Sequence, residues 1–127
     1  MAILSGIPVL NCHTIKVTLE FYLQLLQFVV VKKRESNGRL YWAHLMHGGT
    51  TLMLQSSEQP SSEIIQSQQA TISLYFFVNN IKDLHHFIKA KNTKVSDIKV
   101  TGYQMQEFSL NDPEGNLITV GQVIDKL

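Results

Sequence analysis

The sequence predicts an α+β fold of two βαβββ modules in tandem, and three observations carry that prediction. The order strand, helix, three strands occurs twice along the chain. A single gapless shift of 66 positions lays Ile15 on Ile81, Lys16 on Lys82, Phe21 on Phe87, Gly49 on Gly115 and Leu52 on Ile118. Apolar residues recur at helical spacing in two segments, and the segments around them are β-branched or alternate in polarity.

The elements follow in order. GIPVLNC (Gly6 to Cys12) is a short strand, with Pro8 suiting a strand start or an edge. Thr14 is placed to cap a helix through its hydroxyl, and Ile15, Leu19, Tyr22 and Leu26 form one helical face. FVVVKKRE (Phe28 to Glu35) is a β-branched strand that ends at the turn signal SNG. RLYWAHLMH (Arg39 to His47) and TTLMLQ (Thr50 to Gln55) are strands joined at Gly48-Gly49. The Ser-, Gln- and Glu-rich stretch from Ser56 to Ala70 has no sustained period and reads as a linker, with one helical turn at Ile64 and Ile65. TISLYFFV (Thr71 to Val78) opens the second module. Asn80 caps a helix with Ile81, Leu84 and Ile88 on its apolar side and Phe87 beside them. KVSDIKVTGY, QMQEFSLN and LITVGQ supply the last three strands. Module one thus spans about 6–55, the linker 56–70 and module two about 71–123, within a single domain of 127 residues.

Composition bounds the setting. With 44% hydrophobic residues the chain can bury one core. A net charge of +1 and the lack of a basic run interleaved with aromatics give no footprint for nucleic acid. VKKRE reads as a solvated strand end. The single cysteine, Cys12, sits among apolar neighbours and reads as a small buried side chain. MAILSGIPVL lacks the charged region of a signal peptide, and no apolar run is long enough to cross a bilayer, so the expected location is cytoplasmic. A four-stranded sheet with one helix cannot cover its own apolar surface. Each module is therefore expected to pack on the other or on a partner chain.

Three segments carry a family resemblance: IPVLNCHTIKVTLEFYLQLLQF (Ile7 to Phe28), ISLYFFVNNIKDLHHFIKA (Ile72 to Ala90) and the closing hairpin DPEGNLITV. They resemble the vicinal oxygen chelate superfamily, which includes glyoxalase I, extradiol dioxygenases, fosfomycin-resistance transferases and bleomycin-resistance proteins. The character is closest to the metal-free bleomycin-resistance-like branch. In the hairpin, Pro113 presets φ and Gly115 can take the left-handed conformation. The resemblance implies mixed, curved sheets that form a concave cavity, with the helices on the outer face.

The resemblance also places four metal-ligand positions, two on the opening strands of the modules and two on their last strands. Here they are Ile7, Met53, Ser73 and Thr119, and the 66-residue shift links 7 to 73 and 53 to 119. Divalent ions at such sites need imidazole or carboxylate ligands, which an alkyl group, a thioether and two hydroxyls do not provide. No metal and no other cofactor is therefore expected, which weighs against the metal-dependent isomerase and dioxygenase activities of the family. The histidines do not restore a site. His44 and His47 fall on opposite strand faces, His85 and His86 diverge on a helix, and His13 lies in a loop. No Gly-x-Ser-x-Gly, Cys-x-x-Cys or phosphate-binding glycine loop is present.

Strand parity, with the resemblance, predicts what lines the cavity. Ile72, Leu74, Phe76 and Val78, Leu52 and Leu54, and Ile118 and Val120 are assigned to the helix side. Trp42, His44, Met46, Met53, Ser73, Tyr75, Phe77, Ser109 and Thr119 are left as ligand-binding candidates, with Thr71, Gln55 and Glu107 on the same side. Apolar walls with a few polar groups suit a small molecule, and they also suit an ordinary sandwich interior. The leading function is a metal-free protein that binds or sequesters an aromatic or amphipathic ligand. An alternative is a lyase, isomerase or dioxygenase-type enzyme with a non-standard site, in which His44 and Glu107 are the acid–base candidates. A third is an interaction or regulatory module with a vestigial cavity. The expected partners are a small molecule and a second copy of the chain, not nucleic acid or membrane. The linker is long enough to exchange modules between copies.

Overall fold

The structure is a computed structural model that describes residues 2, 4–57 and 72–124. The chain divides into two compact units, Met1–Ala70 and Thr71–Leu127. In the first, β1 (Val9–Cys12), α1 (Ile15–Gln24), β2 (Val29–Ser36), β3 (Arg39–His47) and β4 (Thr50–Ser56) build a sheet of order β1-β4-β3-β2. In the second, β5 (Ser73–Phe77), α2 (Ile81–Ala90), β6 (Lys99–Val100), β7 (Met105–Asn111) and β8 (Leu117–Val123) build the order β5-β8-β7-β6. Both sheets are mixed, since β1 runs parallel to β4 and β5 parallel to β8 while the hairpins are antiparallel.

The two α-helices keep the 66-residue register end to end: α1 begins at Ile15 and α2 at Ile81. The parallel pairs keep it as well, with Val9 opposite Met53 and Tyr75 opposite Thr119. The hairpins do not. His44 faces Met53, whereas Ser109 rather than Leu110 faces Thr119. Four residues separate the paired Met46 and Thr51 and five separate the paired Asn111 and Leu117, so β7 corresponds to β3 at a shift of 65.

Each helix packs on the two inner strands of its hairpin sheet. In the first unit Ile15, Thr18, Tyr22, Ala43, Leu45, Leu52 and Leu54 are buried there. Tyr22 meets Phe21 and Phe28 edge-on, at centroid distances of 5.2 and 5.8 Å. Cys12 is fully buried, its Sγ 3.6 Å from the Leu10 carbonyl oxygen. In the second unit Ile81, Ile88, Phe108, Leu110, Ile118 and Val120 form the equivalent layer. On the inner strands the expected parity agrees with the burial: Leu52, Leu54, Ile118 and Val120 are buried, while Met53 and Thr119 are half-buried.

Several boundaries depart from the sequence reading. β1 starts at Val9 rather than Gly6, because Pro8 has no N–H to donate, although its carbonyl still accepts from Met53 N at 2.9 Å. Thr14 takes the N-cap position of α1 but makes no side-chain capping bond, whereas Asn80 Oδ1 accepts from Asp83 N on α2 as expected. The strand expected over KVSDIKVTGY shrinks to Lys99–Val100. Ser96 spends its backbone N–H and its Oγ on Ser109, and Thr101 Oγ1 accepts from Tyr103 and Met105 N–H groups, which leaves two ladder residues between. The expected helical turn at Ile64 and Ile65, and Thr71, lie outside the described residues.

The DPEGN turn is held from within. Asp112 Oδ1 accepts from the N–H groups of Glu114 and Asn116, both at 2.9 Å, and Oδ2 accepts from Asn116 Nδ2 at 2.9 Å. Asn116 Oδ1 accepts from Ile72 N at 2.9 Å, which ties the start of β5 to the hairpin. Gly115 has φ +88°, as its place in the turn requires. Asp112 and Asn116 are 4% and 5% exposed. Asp112→Ala is expected to cost about 2–3 kcal/mol, because it strands buried N–H donors. Urea unfolding checks this, and a loss near that of an exposed Asp97→Ala control would contradict it.

Candidate functional site

Each sheet presents to the side away from its helix a face that its own unit does not cover with a helix. In the first unit Trp42, His44 and Met46 of β3 and Met53 of β4 share that face, with Met53 between Val9 and His44 in the ladder. The Trp42 and His44 ring centroids are 6.3 Å apart. Arg34 of β2 stands over the Trp42 ring at 5.2 Å. Gln55 Nε2 donates to Asn11 Oδ1 across the parallel pair at 2.8 Å. His44 Nε2 is buried and has no hydrogen-bond partner among the described residues. His47 points to the other face, where its Nδ1 lies 3.0 Å from the Leu26 carbonyl oxygen and its ring packs on Phe28. His85 Nε2 lies 2.8 Å from the Ser96 carbonyl oxygen. Ile7 is half-buried just ahead of β1.

In the second unit Ser73, Tyr75 and Phe77 of β5, Glu107 and Ser109 of β7, and Thr119 of β8 share the face away from α2. The Tyr75 side chain crosses β8 above Gly121 and donates from its hydroxyl to Glu107 Oε2 at 2.5 Å. A Cβ on Gly121 would overlap the Tyr75 hydroxyl and ring, so this crossing requires glycine. Tyr103 donates to the same carboxylate oxygen at 2.7 Å. Phe77 packs on Tyr75 at 4.9 Å, and the Ser109 and Thr119 hydroxyls lie 3.3 Å apart. Phe77 is 75% exposed and Tyr75 40%.

The cluster sets the ionisation of its phenols. Burial, followed by the hydrogen bond and charge of Glu107, pushes Tyr75 from its ordinary 10.0 up to about 12. The residue as a whole is partly exposed, but its titrating end lies against β8 and Glu107, which is where burial acts. The Glu107 hydrogen bond also raises Tyr103. Both phenols are therefore proton donors, not bases, near neutral pH.

Sequence reasoning placed Tyr75 and Glu107 on one face but missed Tyr103 and Gly121. The TGY and VGQ contexts of those two residues resemble an ordinary turn and an ordinary strand. Their roles depend on β8 lying between β5 and β7, which no local pattern shows.

Two mixed sheets, each with one crossover helix and each repeating βαβββ, define the vicinal oxygen chelate class of fold. A family model described as Glyoxalase/Bleomycin resistance protein/Dioxygenase superfamily matches residues 7–120, and the chain belongs to that superfamily. Among solved structures, TioX from Micromonospora sp. ML1 is similar at a TM-score of 0.80 and 13% identity, covering 94% of this chain and 100% of that one. Lactoylglutathione lyase from Agrobacterium tumefaciens is similar at 0.73 and 14%, covering 96% of each chain. A bleomycin-binding protein complexed with bleomycin is similar at 0.67 and 18%, covering 93% of this chain and 97% of that one. No curated protein sequence matches significantly.

The donors at the four positions that the resemblance assigns to a metal do not fit a divalent ion. Met53 offers a thioether and Ile7 nothing, while Ser73 and Thr119 offer neutral hydroxyls, that of Thr119 already beside Ser109. Among the described residues no group of three or more His, Cys, Asp or Glu could hold a metal ion. No helix among them is long and apolar enough to cross a membrane.

The phenol cluster predicts an alkaline signature. A raised pKa in the folded state means that the Tyr75 contribution to stability is fully present below pH 10.0 and is lost as pH rises toward about 12. Tyrosinate absorbance should show a late-titrating phenol that Tyr75→Phe removes and Glu107→Gln moves to lower pH. An unchanged curve in Glu107→Gln would refute the assignment.

Proposed function

We propose that this protein binds a small aromatic or amphipathic molecule without a metal, for sequestration rather than turnover. The observation that carries this reading is the exposed Tyr75–Phe77 ring pair beside a carboxylate and hydroxyls that are already oriented by hydrogen bonds. Apolar surface with a few fixed polar groups is what recognition of a small ligand needs. The superfamily membership is consistent with it, since one fold neighbour is a bleomycin-binding protein. The near-neutral charge of this chain does not point to bleomycin itself. Trp42, His44, Met46 and Met53 in the first unit, and Ser73, Ser109 and Thr119 in the second, are proposed as further ligand contacts. The two units are proposed to act as one domain in the cytoplasm. A homodimer is proposed to complete the binding faces, with modules exchanged through the linker.

A thermal-shift screen of aromatic small molecules tests the reading. A ligand present at about 100 times its Kd adds about 2.7 kcal/mol to folding. That corresponds to a rise of roughly 10 °C in Tm for a domain of this size. Phe77→Ala is expected to abolish the shift while barely moving the Tm of the free protein, because the ring is mostly exposed. A panel that leaves Tm unchanged, or a variant that binds as the parent does, counts against the function. Light scattering that gives a mass near 14.4 kDa with binding intact counts against the dimer.

A further inference from the structure

We propose that the helix-opposed face of the first unit binds the anionic group of an aromatic ligand, with Trp42 as the stacking surface and Arg34 and Lys32 as the counter-charges. This rests on the ligand-binding reading above and adds the charge of the ligand to it. The ladder places the residues: Lys32 stands opposite His44 and Arg34 opposite Trp42, so both cations project on the Trp42 side of the sheet. Val31 is the extra residue that brings them into this phase, since the register slips between Val30 and Lys32. Neither cation has an ion pair among the described residues. Lys33, the cation between them, points to the opposite side and pairs with Glu35 at 3.5 Å.

No described acidic residue answers Lys32 and Arg34 on this face. The described acids of the unit are Glu20 on α1 and Glu35 beside Lys33. The other residues on the face are neutral: Met46, Met53, Gln55 and Asn11, the last two satisfied by each other. Arg34 is held over the indole, which leaves the N–H edge of its guanidinium to donate to a carboxylate while the indole contacts an aromatic body. An anionic oxygen on this face would also give the buried His44 Nε2 the partner that the described residues do not.

The test uses the full chain and three probes of one shape: naphthoate, naphthalenemethanol and naphthylmethylammonium. Calorimetry gives the affinities, and the indole N–H resonance of Trp42, the one tryptophan of the chain, reports where binding occurs. Naphthoate is expected to bind about tenfold tighter than either analogue, as one or two charge-assisted contacts give, and to shift the Trp42 resonance. Arg34→Gln and Lys32→Gln should each weaken naphthoate several-fold, whereas Lys33→Gln, which removes the same charge from the other face, should not. Equal affinity for the three probes, preference for the ammonium, equal loss in Lys33→Gln, or a still Trp42 resonance overturns the proposal. Failure of naphthoate to bind overturns it too. In every such case the thermal-shift screen decides separately whether the ligand-binding reading stands.

Discussion

The buried Asp112–Asn116 pair is the constraint on which the second unit depends. Asp112 fixes the conformation of the β7–β8 turn, and Asn116 carries that fixed point across to Ile72, the residue before β5. One side-chain network therefore sets the antiparallel register of β7 with β8 and the parallel register of β5 with β8. A slip of one residue would turn every side chain of a strand to the other face. With the register held, Tyr75 lies opposite Thr119, Gly121 opposite Glu107, and the phenol can cross β8 to the carboxylate. The site geometry is thus set by a turn at the far end of the hairpin.

Much of this was legible in the sequence, and the limits have physical causes. The helices were legible because apolar spacing and the Asn80 cap are local, and the register shift gave both α1 and α2 with the same starting offset. Ile118 and Val120 against Thr119 followed from strand period alone. The edge strand β6 was not legible, since KVSDIKVTGY has strand composition throughout. Its truncation comes from Ser96 bonding to Ser109, thirteen residues away. Of the proposed ligand contacts, parity could sort faces but could not say which side chains reach each other. Tyr103 joins Glu107 from a turn, outside any strand pattern, and the lone His44 nitrogen depends on what buries it.

Duplication with divergence is visible position by position on the helix-opposed faces. Val9 and Met53 in the first unit correspond to Tyr75 and Thr119 in the second, and Trp42 corresponds to Glu107 at the shift of 65. Asn11 and Gln55 form a cross-strand amide pair where the second unit has Phe77 and Gly121. The first unit fills that place with a closed hydrogen bond. The second empties it, and the space over Gly121 is what Tyr75 occupies. Replacing the amide by glycine thus accounts for a phenol–carboxylate contact that the first unit cannot form.

The opposite faces of the same strands show no such divergence in kind. Leu52 and Leu54 correspond to Ile118 and Val120, all fully or nearly fully buried beneath the helices. Exchanging one aliphatic for another of similar volume costs a packed core little, whereas a polar group there would lose its hydrogen bonds to water. The helix-opposed side chains carry no such debt to the core. Aromatic, thioether, hydroxyl, carboxylate and cationic groups can replace one another there while each unit keeps its fold. That freedom explains how a chain can keep the superfamily's fold while Met53, Ser73 and Thr119 on these faces carry no imidazole or carboxylate. It also explains how the two faces come to differ in charge character, with Lys32 and Arg34, which pair with no described acid, on one and a phenol-bound Glu107 on the other.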